Sequence, residues 1–307
     1  MQPIDEILPK TSEELKSILD RLGSLLNESV FFGTHILKWD VEKPREGKDN
    51  NIPSVFLRNI IELADAISIL ISNSSVDPAK NIFRSLLESC YSLTYMLERD
   101  EKQRANCFIV YKSVEKIKQC NKWLSTEDSH NHFKIKLGKD NLEVDLSQFF
   151  DHPDFLRVKK LREQLLEKPE FKPVFEEYQR TKKKIKREFY WYSLYDGPRN
   201  FIELTEYLGK TISYEFYYKT FSDNVHGTSV EKGFANAGGG KAQIIQIRDY
   251  ENVQELFSHT VTVLLELYII FIRKRIPEKE TEFLTWFDIF KIPYLEITRK
   301  KLFNYKK

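Results

Sequence analysis

Apolar residues recur every three or four positions near the N-terminus, and this spacing is the strongest constraint on the fold. Such spacing places apolar side chains on one face of an α-helix. The positions are Leu15, Ile18, Leu19, Leu22, Leu25 and Leu26. Thr11 or Ser12, followed by Glu14, forms a plausible N-cap. The sequence therefore predicts an amphipathic first helix.

The same spacing continues along most of the chain. Further helices are predicted over residues 55–72, 77–95, 102–124, 153–167, 173–190, 200–222 and 253–275. Residues 38–52 and 233–240 are predicted loops, and Pro277 ends the last helix before a C-terminal tail over 277–307. The pattern predicts a mainly α fold, with one helical-bundle-like domain over residues 1–307.

One segment has a different period. Residues 133–137 and 142–146 alternate apolar and polar side chains on either side of the turn-forming residues Gly138–Asn141. Alternation of this kind is typical of strands, and a short polar connection containing glycine is typical of a hairpin. The sequence predicts a small β-hairpin at about 133–146, within an insertion at about 125–152.

Charge, hydropathy and cysteine content limit the kinds of protein that this chain can be. The 307 residues include 48 Lys and Arg against 46 Asp and Glu, so the net charge of +2 gives no bulk polyelectrolyte character. No export signal is visible, and the apolar run Thr260–Ile272 carries Glu266 and is short for a bilayer, which leads us to expect a cytoplasmic protein without a membrane span. The three cysteines are not closely paired, and we expect reduced, buried thiols.

No cofactor or metal is expected from the motifs. The glycines before Lys241 lack the spacing of a phosphate-binding loop, and Ala242 stands where that loop needs Ser or Thr. His130 and His132 with Asp128 could bind a metal, but no second cluster of ligands lies nearby in the sequence.

The best candidate for chemistry is the aromatic segment that ends at His226, just before Gly227. A histidine near its ordinary pKa of about 6.5 can move a proton in either direction at neutral pH. Lys219 lies about two helical turns earlier and can face the same side. A cation and a proton-transfer group could then act on one phosphate, although a histidine before a glycine is also a common helix end.

Several short motifs resemble one bacterial protein family. Arg84-Ser-Leu-Leu-Glu88 with Tyr91, Tyr95 and Arg104-Ala105 is similar to the first half of the family called domain of unknown function 5677. Trp191-Tyr-Ser, Ile202–Leu208 and Tyr218–Gly227 are similar to its second half. The resemblance implies a mostly helical core over about 55–272 with the hairpin region outside it, and membership of bacterial defence or mobile-element cassettes.

A more distant resemblance, to the HEPN group of helical ribonucleases, implies a chemistry. That group carries an arginine, four to six residues and then a histidine, and here Lys219 and His226 occupy the pattern. Lysine cannot grip a phosphate with a bidentate fork, so either catalysis is weakened, Arg84 supplies the guanidinium, or the site is not a nuclease. Glu88 would orient Arg84, and Asp223 and Asn224 would position His226.

A basic run, Arg180–Arg187, precedes the aromatic residues 189–192. It could hold an RNA backbone, although charge runs are usually solvated helix faces. An exposed arginine at a helix start is unremarkable, and Trp191 also suits a packing role. The candidate substrate contacts are Arg104, Lys183, Lys184, Arg187, Trp191, Tyr218 and Asn224.

Two functions remain open from the sequence. The first is a HEPN-like, metal-independent endoribonuclease that serves as an antiphage-defence effector or toxin, with His226, Lys219, Arg84 and Glu88 as catalytic residues and RNA as substrate. The second is a catalytically silent helical module that binds a cognate defence-system protein or forms oligomers. A homodimer is expected for the first, because HEPN-like sites are often completed at a dimer seam.

Overall fold

The computed structural model describes residues 8, 11–45, 51–140, 145–219, 221, 233–236, 242–244, 247–248, 250, 252–300 and 302, with only the backbone of 234–236 and 242–243. The chain divides into two compact units, residues 1–99 with 204–307, and residues 100–203. We call them unit 1 and unit 2. Whether they form the single predicted domain stays a prediction.

The described residues are mainly helical, as the sequence predicts. The helices are α1 Glu13–Glu42, α2 Ile52–Ser72, α3 Val76–Glu98, α4 Glu101–Asn121, α5 Asp128–Leu137, α6 Pro153–Leu166, α7 Lys172–Lys184, α8 Phe201–Tyr207, α9 Thr211–Ser213, α10 Val253–Arg275 and α11 Glu280–Thr298. A π-helical segment, Tyr214–Lys219, directly follows α9. Two short antiparallel strands, β1 Phe234–Asn236 and β2 Ala242–Ile244, pair with Phe234 opposite Ile244.

Unit 1 is built on four long helices. Helix α1 packs against α2 and α10, and α3 packs against the same two helices, so each contacts two neighbours in a ring. The side chains at its centre are fully buried and apolar: Leu22, Leu26, Ile36, Leu57, Ile60, Ile67, Phe83, Leu86, Phe257, Leu264 and Phe271. The apolar stripe predicted for α1 faces this core, and Ser12 caps the helix by accepting a hydrogen bond from the Leu15 backbone amide at 3.2 Å.

A buried ion pair joins the ends of three helices in unit 1. Asp40 in α1 accepts hydrogen bonds from the Arg275 guanidinium in α10, at 2.9 Å and 3.1 Å, and neither side chain is exposed to any useful extent. Ser54 in α2 donates a third hydrogen bond to the same carboxylate at 2.6 Å. Arg45 and Lys43 donate to the carbonyl of Arg275, at the C-terminus of α10, where cations are favourable. The group fixes how α1, α2 and α10 meet.

Unit 2 packs α5, α6 and α7 against α4. Trp123, two residues after α4, stacks on Phe155 with centroids 5.7 Å apart and contacts Phe133 edge-on at 5.0 Å. Glu177 in α7 is buried and accepts hydrogen bonds from Arg180, the Thr181 hydroxyl and the Tyr195 backbone amide. Unit 2 is therefore stabilised by aromatic packing around Trp123 and by the hydrogen bonds of the buried Glu177 carboxylate.

The β-hairpin predicted at 133–146 is wrong in its first half. Residues 133–137 belong to α5, where Phe133 packs against Trp123 and the buried His130 ring hydrogen-bonds to the Lys122 carbonyl at 3.0 Å. Positions 130, 133 and 137 are spaced as one helix face, so the segment satisfied the helical period as well as the strand period. Residues 141–144 lie outside the described part of the chain, and a short 3₁₀ turn follows at Ser147–Phe149.

Several helix boundaries in the structure also differ from the predicted ones. Helix α1 continues into the expected loop as far as Glu42, and α7 ends at Lys184 instead of near residue 190. The helix expected over 200–222 is interrupted at Gly209, which has a φ of +68°. The expected C-terminal tail contains α11.

Two other predictions, the bounds of α10 and the state of the cysteines, are confirmed. Helix α10 has the predicted bounds, and the three cysteines are free and buried. Among the described helices α10 alone is long and apolar enough to cross a membrane, by length and composition only, and 56% of its most apolar window is buried in the fold.

Candidate functional site

Two of the predicted catalytic residues lie one turn apart on α3. The Arg84 Nη2 and the Glu88 Oε1 are 4.0 Å apart, and their side chains are 15% and 49% exposed. At this distance the two charges attract without a close hydrogen bond. A third residue completes the contact between them.

Tyr218, from the π-helical segment, bridges this pair. Its hydroxyl accepts a hydrogen bond from Arg84 Nη2 at 2.7 Å and donates one to Glu88 Oε1 at 2.5 Å. The Arg84 Cζ also lies 4.2 Å from the centroid of the Tyr218 ring, within the range of a cation–π contact. We call these three side chains the α3 triad.

The phenol of the α3 triad stays protonated at neutral pH. The pKa of Tyr218 is raised to about 12, chiefly by burial and then by the hydrogen bond to Glu88, while Arg84 acts in the opposite direction. Tyr218 therefore acts as a neutral hydrogen-bond donor to Glu88 and accepts a hydrogen bond from Arg84.

The backbone that carries Tyr218 is itself unusual. Tyr214–Lys219 is π-helical, a conformation that is rare and often found at functional sites. The Tyr214 ring stacks on the Tyr218 ring, with centroids 5.3 Å apart and planes at 22°. Lys210, just before α9, pairs with Glu266 in α10 at 2.7 Å and ties this part of the chain to the core helix.

A histidine that the sequence analysis missed contacts the same segment. The His259 ring on α10 lies against the Tyr217 ring, with centroids 3.8 Å apart, and the Tyr217 ring also meets Phe83 on α3 at 6.5 Å. His259 Nε2 is 3.3 Å from Glu255 Oε1. Burial lowers the pKa of His259, and the hydrogen bond to Glu255 opposes that effect. The only sequence signal was this Glu–His pair, four positions apart on an otherwise apolar helix.

The remaining catalytic predictions have different outcomes. Lys219 is 66% exposed and pairs with Glu215 at 3.1 Å on the surface. Asp223, Asn224 and His226 lie outside the described residues. The structure thus brings together Arg84 and Glu88, and adds Tyr218 and His259 around the segment that leads to residue 226.

The substrate contacts predicted in unit 2 are of two kinds. Arg104 is buried rather than exposed, and Trp191 is 6% exposed with its ring edge-on to Phe108 at 6.0 Å, so both have little free surface. Lys183 and Arg187 are exposed, while Lys184 pairs with Asp196 at 2.7 Å. As RNA contacts all five stay predictions, and burial disfavours Arg104 and Trp191.

In unit 2 an exposed tyrosine, Tyr190, follows a run of exposed cations in the sequence. Tyr190 is 50% exposed and stacks on the buried Tyr192, with centroids 5.1 Å apart and planes at 11°. Lys182, Lys183, Lys186 and Arg187 precede it and are all exposed. Ion pairing accounts for Arg180 and Lys184, through Glu177 and Asp196. We call Lys182, Lys183, Lys186, Arg187 and Tyr190 the basic segment.

The two histidines of α5 are already hydrogen-bonded to backbone carbonyls, which disfavours a metal site there. The His130 ring is hydrogen-bonded to the Lys122 carbonyl and the His132 ring to the Asp128 carbonyl, at 3.0 Å and 3.3 Å. Within the described ranges, no group of three or more His, Cys, Asp or Glu side chains is placed to hold a metal ion.

Comparison with known proteins identifies the family. Neither a curated protein nor a solved structure matches the chain. A family model described as a family of unknown function, DUF5677, matches residues 50–232, whereas the resemblance in the sequence suggested about 55–272. The α3 triad lies entirely inside the matched range, and His259 lies beyond it. Because the match covers more than half of the chain, the protein belongs to the DUF5677 family.

Proposed function

We propose that this protein is a HEPN-like, metal-independent endoribonuclease that acts in the cytoplasm of bacteria as a defence effector or toxin. The observation that carries the proposal is the α3 triad. It attaches an arginine and a carboxylate on α3 to the segment that runs directly into the predicted pattern of Lys219 and His226.

Arg84 can supply the guanidinium that the HEPN pattern expects at the position of Lys219. Lys219 stands where the HEPN pattern has arginine, and a lysine binds phosphate only as a point charge. Arg84 contacts the residue next to Lys219, at 2.7 Å from the Tyr218 hydroxyl. It can therefore supply a guanidinium beside the segment that carries Lys219. Glu88 and Tyr218 hold that guanidinium in place, which reduces the entropy lost when substrate binds.

The chemistry needs only side chains. His226 moves a proton at the ribose 2′-hydroxyl or at the leaving 5′-oxygen, while Arg84 and Lys219 stabilise the negative charge that develops on the phosphate. Attack of the 2′-oxygen on phosphorus would leave a 2′,3′-cyclic phosphate on one product and a 5′-hydroxyl on the other. The Tyr214 ring, which is partly exposed and stacks on Tyr218, offers an aromatic surface of the kind that holds an unpaired base.

The basic segment in unit 2 supports RNA as the partner. Its exposed cations, followed by an exposed tyrosine ring, combine backbone attraction with base stacking. Single-stranded RNA binding should weaken with salt by about 0.7 in log–log slope for each phosphate contact. Replacing Lys183 and Arg187 together by Glu should reduce the slope. Replacing Lys184, which is already paired with Asp196, should change it less.

Growth of a bacterial host tests the proposal. The native chain and the His226→Ala variant are induced in parallel, and total RNA is followed in the same cultures. The proposal predicts that the native chain stops growth and fragments RNA, while the soluble variant does neither. Equal toxicity of both chains with intact RNA would contradict it, and so would growth of both.

One observation favours the alternative, a helical module that binds a protein partner or a second copy of itself. Helix α11 buries Phe283, Phe290 and Ile297, yet Ile289 and Ile292 are 70% and 60% exposed on the same helix. These two exposed isoleucines lie three positions apart, as neighbours on the surface of α11, where a partner could cover them. If the alternative is right, Ile289→Glu should abolish self-association in sedimentation experiments, and the native chain should leave RNA intact.

A further inference from the structure

The segment that carries Tyr218 is attached to unit 1 without burying any of its own side chains. Residues 210–219, all within the described part of the chain, are exposed or half-buried, and neither α9 nor the π-helical segment has a buried residue. We call residues 210–219 the strap. In contrast, its neighbours α3 and α10 each contribute a full buried face to the core.

Two different residues flank the strap. On its N-terminal side Gly209 has a φ of +68°, a left-handed conformation that favours glycine, and a Cβ there would have no heavy atom within 4 Å. On its C-terminal side Phe221 is only 8% exposed, with its ring 5.8 Å from that of Phe83. An unpacked glycine and a buried aromatic ring therefore bound a stretch of chain that lies on the surface.

Three groups of contacts dock the strap on α3 and α10. Lys210 pairs with Glu266 at 2.7 Å, and the two side chains are 28% and 48% exposed. The Tyr217 ring lies against His259 with centroids 3.8 Å apart, and the α3 triad holds the next residue. Exposed ion pairs and single hydrogen bonds contribute little net stability, because water competes for the same groups. A segment docked in this way opens at a much lower free-energy cost than a core helix.

Opening of the strap changes the surroundings of Arg84. Its side chain is 15% exposed in the structure, and the Tyr218 ring lies over it, with the ring centroid 4.2 Å from Cζ. When Tyr218 moves away, the guanidinium loses this cover and a hydrogen-bond acceptor together. Its planar fork then faces water, where it suits an anion such as phosphate.

We propose that the strap is a lid, which opens and closes as one unit on a folded core and so controls the access of an anionic ligand to Arg84. Closed, it holds the guanidinium in the geometry of the α3 triad. Open, it admits the ligand, and closing over the bound ligand excludes water, as lids do in many enzymes. In the proposed ribonuclease that ligand is a phosphate of RNA, but the lid itself can be tested without RNA.

Hydrogen exchange of the native protein tests whether the strap opens by itself. Amides of the strap and of the core helices α1 and α10 are followed in guanidinium chloride below the unfolding midpoint. Opening of the strap exposes little surface, so its exchange should be nearly independent of denaturant, whereas exchange in the core should rise steeply. Strap amides that follow the core would overturn the proposal. So would strap amides without protection, because no closed state would then exist.

A matched pair of variants tests whether contacts with the core keep the strap closed. Lys210→Met removes the ion pair between the strap and α10, whereas Glu215→Gln removes a pair, with Lys219 at 3.1 Å, that lies within the strap. We expect strap exchange to become about two- to fivefold faster in Lys210→Met, as for the loss of one exposed ion pair, and to stay unchanged in Glu215→Gln. Equal strap exchange in the two variants would show that this contact does not hold a closed state and would overturn the proposal.

Chemical labelling tests the access to Arg84. Phenylglyoxal reacts with exposed guanidinium groups, and peptide mass spectrometry reports each arginine separately. Arg58 on α2 is the control, because its side chain is 66% exposed and pairs with Glu62, outside the strap. We expect slower labelling of Arg84 than of Arg58 in the native chain, and a rise in Lys210→Met by the same factor as strap exchange, with Arg58 unchanged. Inorganic phosphate should slow the labelling of Arg84 more than that of Arg58.

Two results of the labelling would contradict the proposal. Labelling of Arg84 that does not follow strap exchange would overturn the lid, and equal effects of phosphate on Arg84 and Arg58 would overturn the anionic ligand. Neither result bears on whether the chain cleaves RNA, so failure of the lid and failure of the proposed ribonuclease remain distinguishable.

Discussion

Arg84 lies over the ring of Tyr218, with its Cζ 4.2 Å from the ring centroid, and donates a hydrogen bond to the hydroxyl of the same residue at 2.7 Å. The two residues are 134 positions apart in the chain. The contact ties α3 to the π-helical segment, and the hydroxyl then donates to Glu88. Each residue of the α3 triad can therefore be replaced and tested separately.

Loss of the Tyr218 hydroxyl should reduce RNA cleavage with little loss of stability. Tyr218→Phe keeps the ring but releases Arg84 and Glu88 from their shared partner. Hydrogen bonds of this kind contribute about 0.5–1.5 kcal/mol to folding, and more when one partner is charged. Tyr207→Phe is the control, because it removes a similar hydrogen bond, to Glu98 at 2.6 Å. If both variants lose cleavage equally, the triad has no special role.

The buried pair of Asp40 and Arg275 should be a major determinant of stability in unit 1. Asp40→Ala leaves the Arg275 charge buried without its carboxylate, which costs about 3–5 kcal/mol. Arg273→Ala is the control, because its pair with Glu280 is exposed, and such pairs contribute less than about 1 kcal/mol. Denaturant unfolding followed by circular dichroism measures both. Similar small losses in the two variants would show that the pair is not buried in solution.

Close packing of α1 against α10 should make Gly33 intolerant of a side chain. A Cβ at this position would lie 2.3 Å from the hydroxyl of Tyr268, a fully buried residue that donates a hydrogen bond to the Ser29 carbonyl. Gly33→Ala should lower the free energy of unfolding by about 1–3 kcal/mol. The control Gly138→Ala meets no atom closer than 3.6 Å and should be near neutral. An equal, near-zero effect would contradict the packing.

Glu177 should make the stability of unit 2 sensitive to acid. Burial raises the pKa of this carboxyl, but hydrogen bonds from Arg180, the Tyr195 amide and Thr181 outweigh it, so the pKa lies below the ordinary value of 4.5. A group with a lowered folded pKa stabilises the fold above its unfolded pKa, and this stabilisation is lost as pH falls from about 4.5 through the folded value. Acid unfolding of native protein and Glu177→Gln compares them. Identical slopes below pH 4.5 would contradict the prediction.

Local signals predicted the helices well where one period dominates the sequence. Helix α10 is bounded by Val253 and Arg275 as predicted, because a largely apolar run is followed by three basic residues and then by Pro277. Helix α1 begins after its predicted N-cap at Ser12 but continues to Glu42, because the buried Asp40 finds a charged partner in α10 that no local pattern reveals. Residues 133–137 fit both the helical period and the strand period, and the packing of Phe133 against Trp123 favours the helix.

The candidate site was predictable only in part. The spacing of Arg84 and Glu88 on one helix face is visible in the sequence, and their charged groups lie 4.0 Å apart in the structure. The bridge through Tyr218 and the contact of His259 with Tyr217 both depend on how distant segments pack. Neither contact between distant segments has a local signature, and only the Glu255–His259 spacing marks the histidine in the sequence. The exposure of Lys183 and the burial of Trp191 likewise follow from where α7 ends and how unit 2 packs.

The central claim, that the chain cleaves RNA without a metal, is tested most directly with purified full-length protein. A single-stranded RNA oligonucleotide is incubated with native chain and with His226→Ala, each in excess chelator, and the product ends are identified by mass spectrometry. The account predicts that only the native chain yields fragments ending in 2′,3′-cyclic phosphate and 5′-hydroxyl. Intact RNA with folded native protein, or the same fragments from His226→Ala, would contradict it.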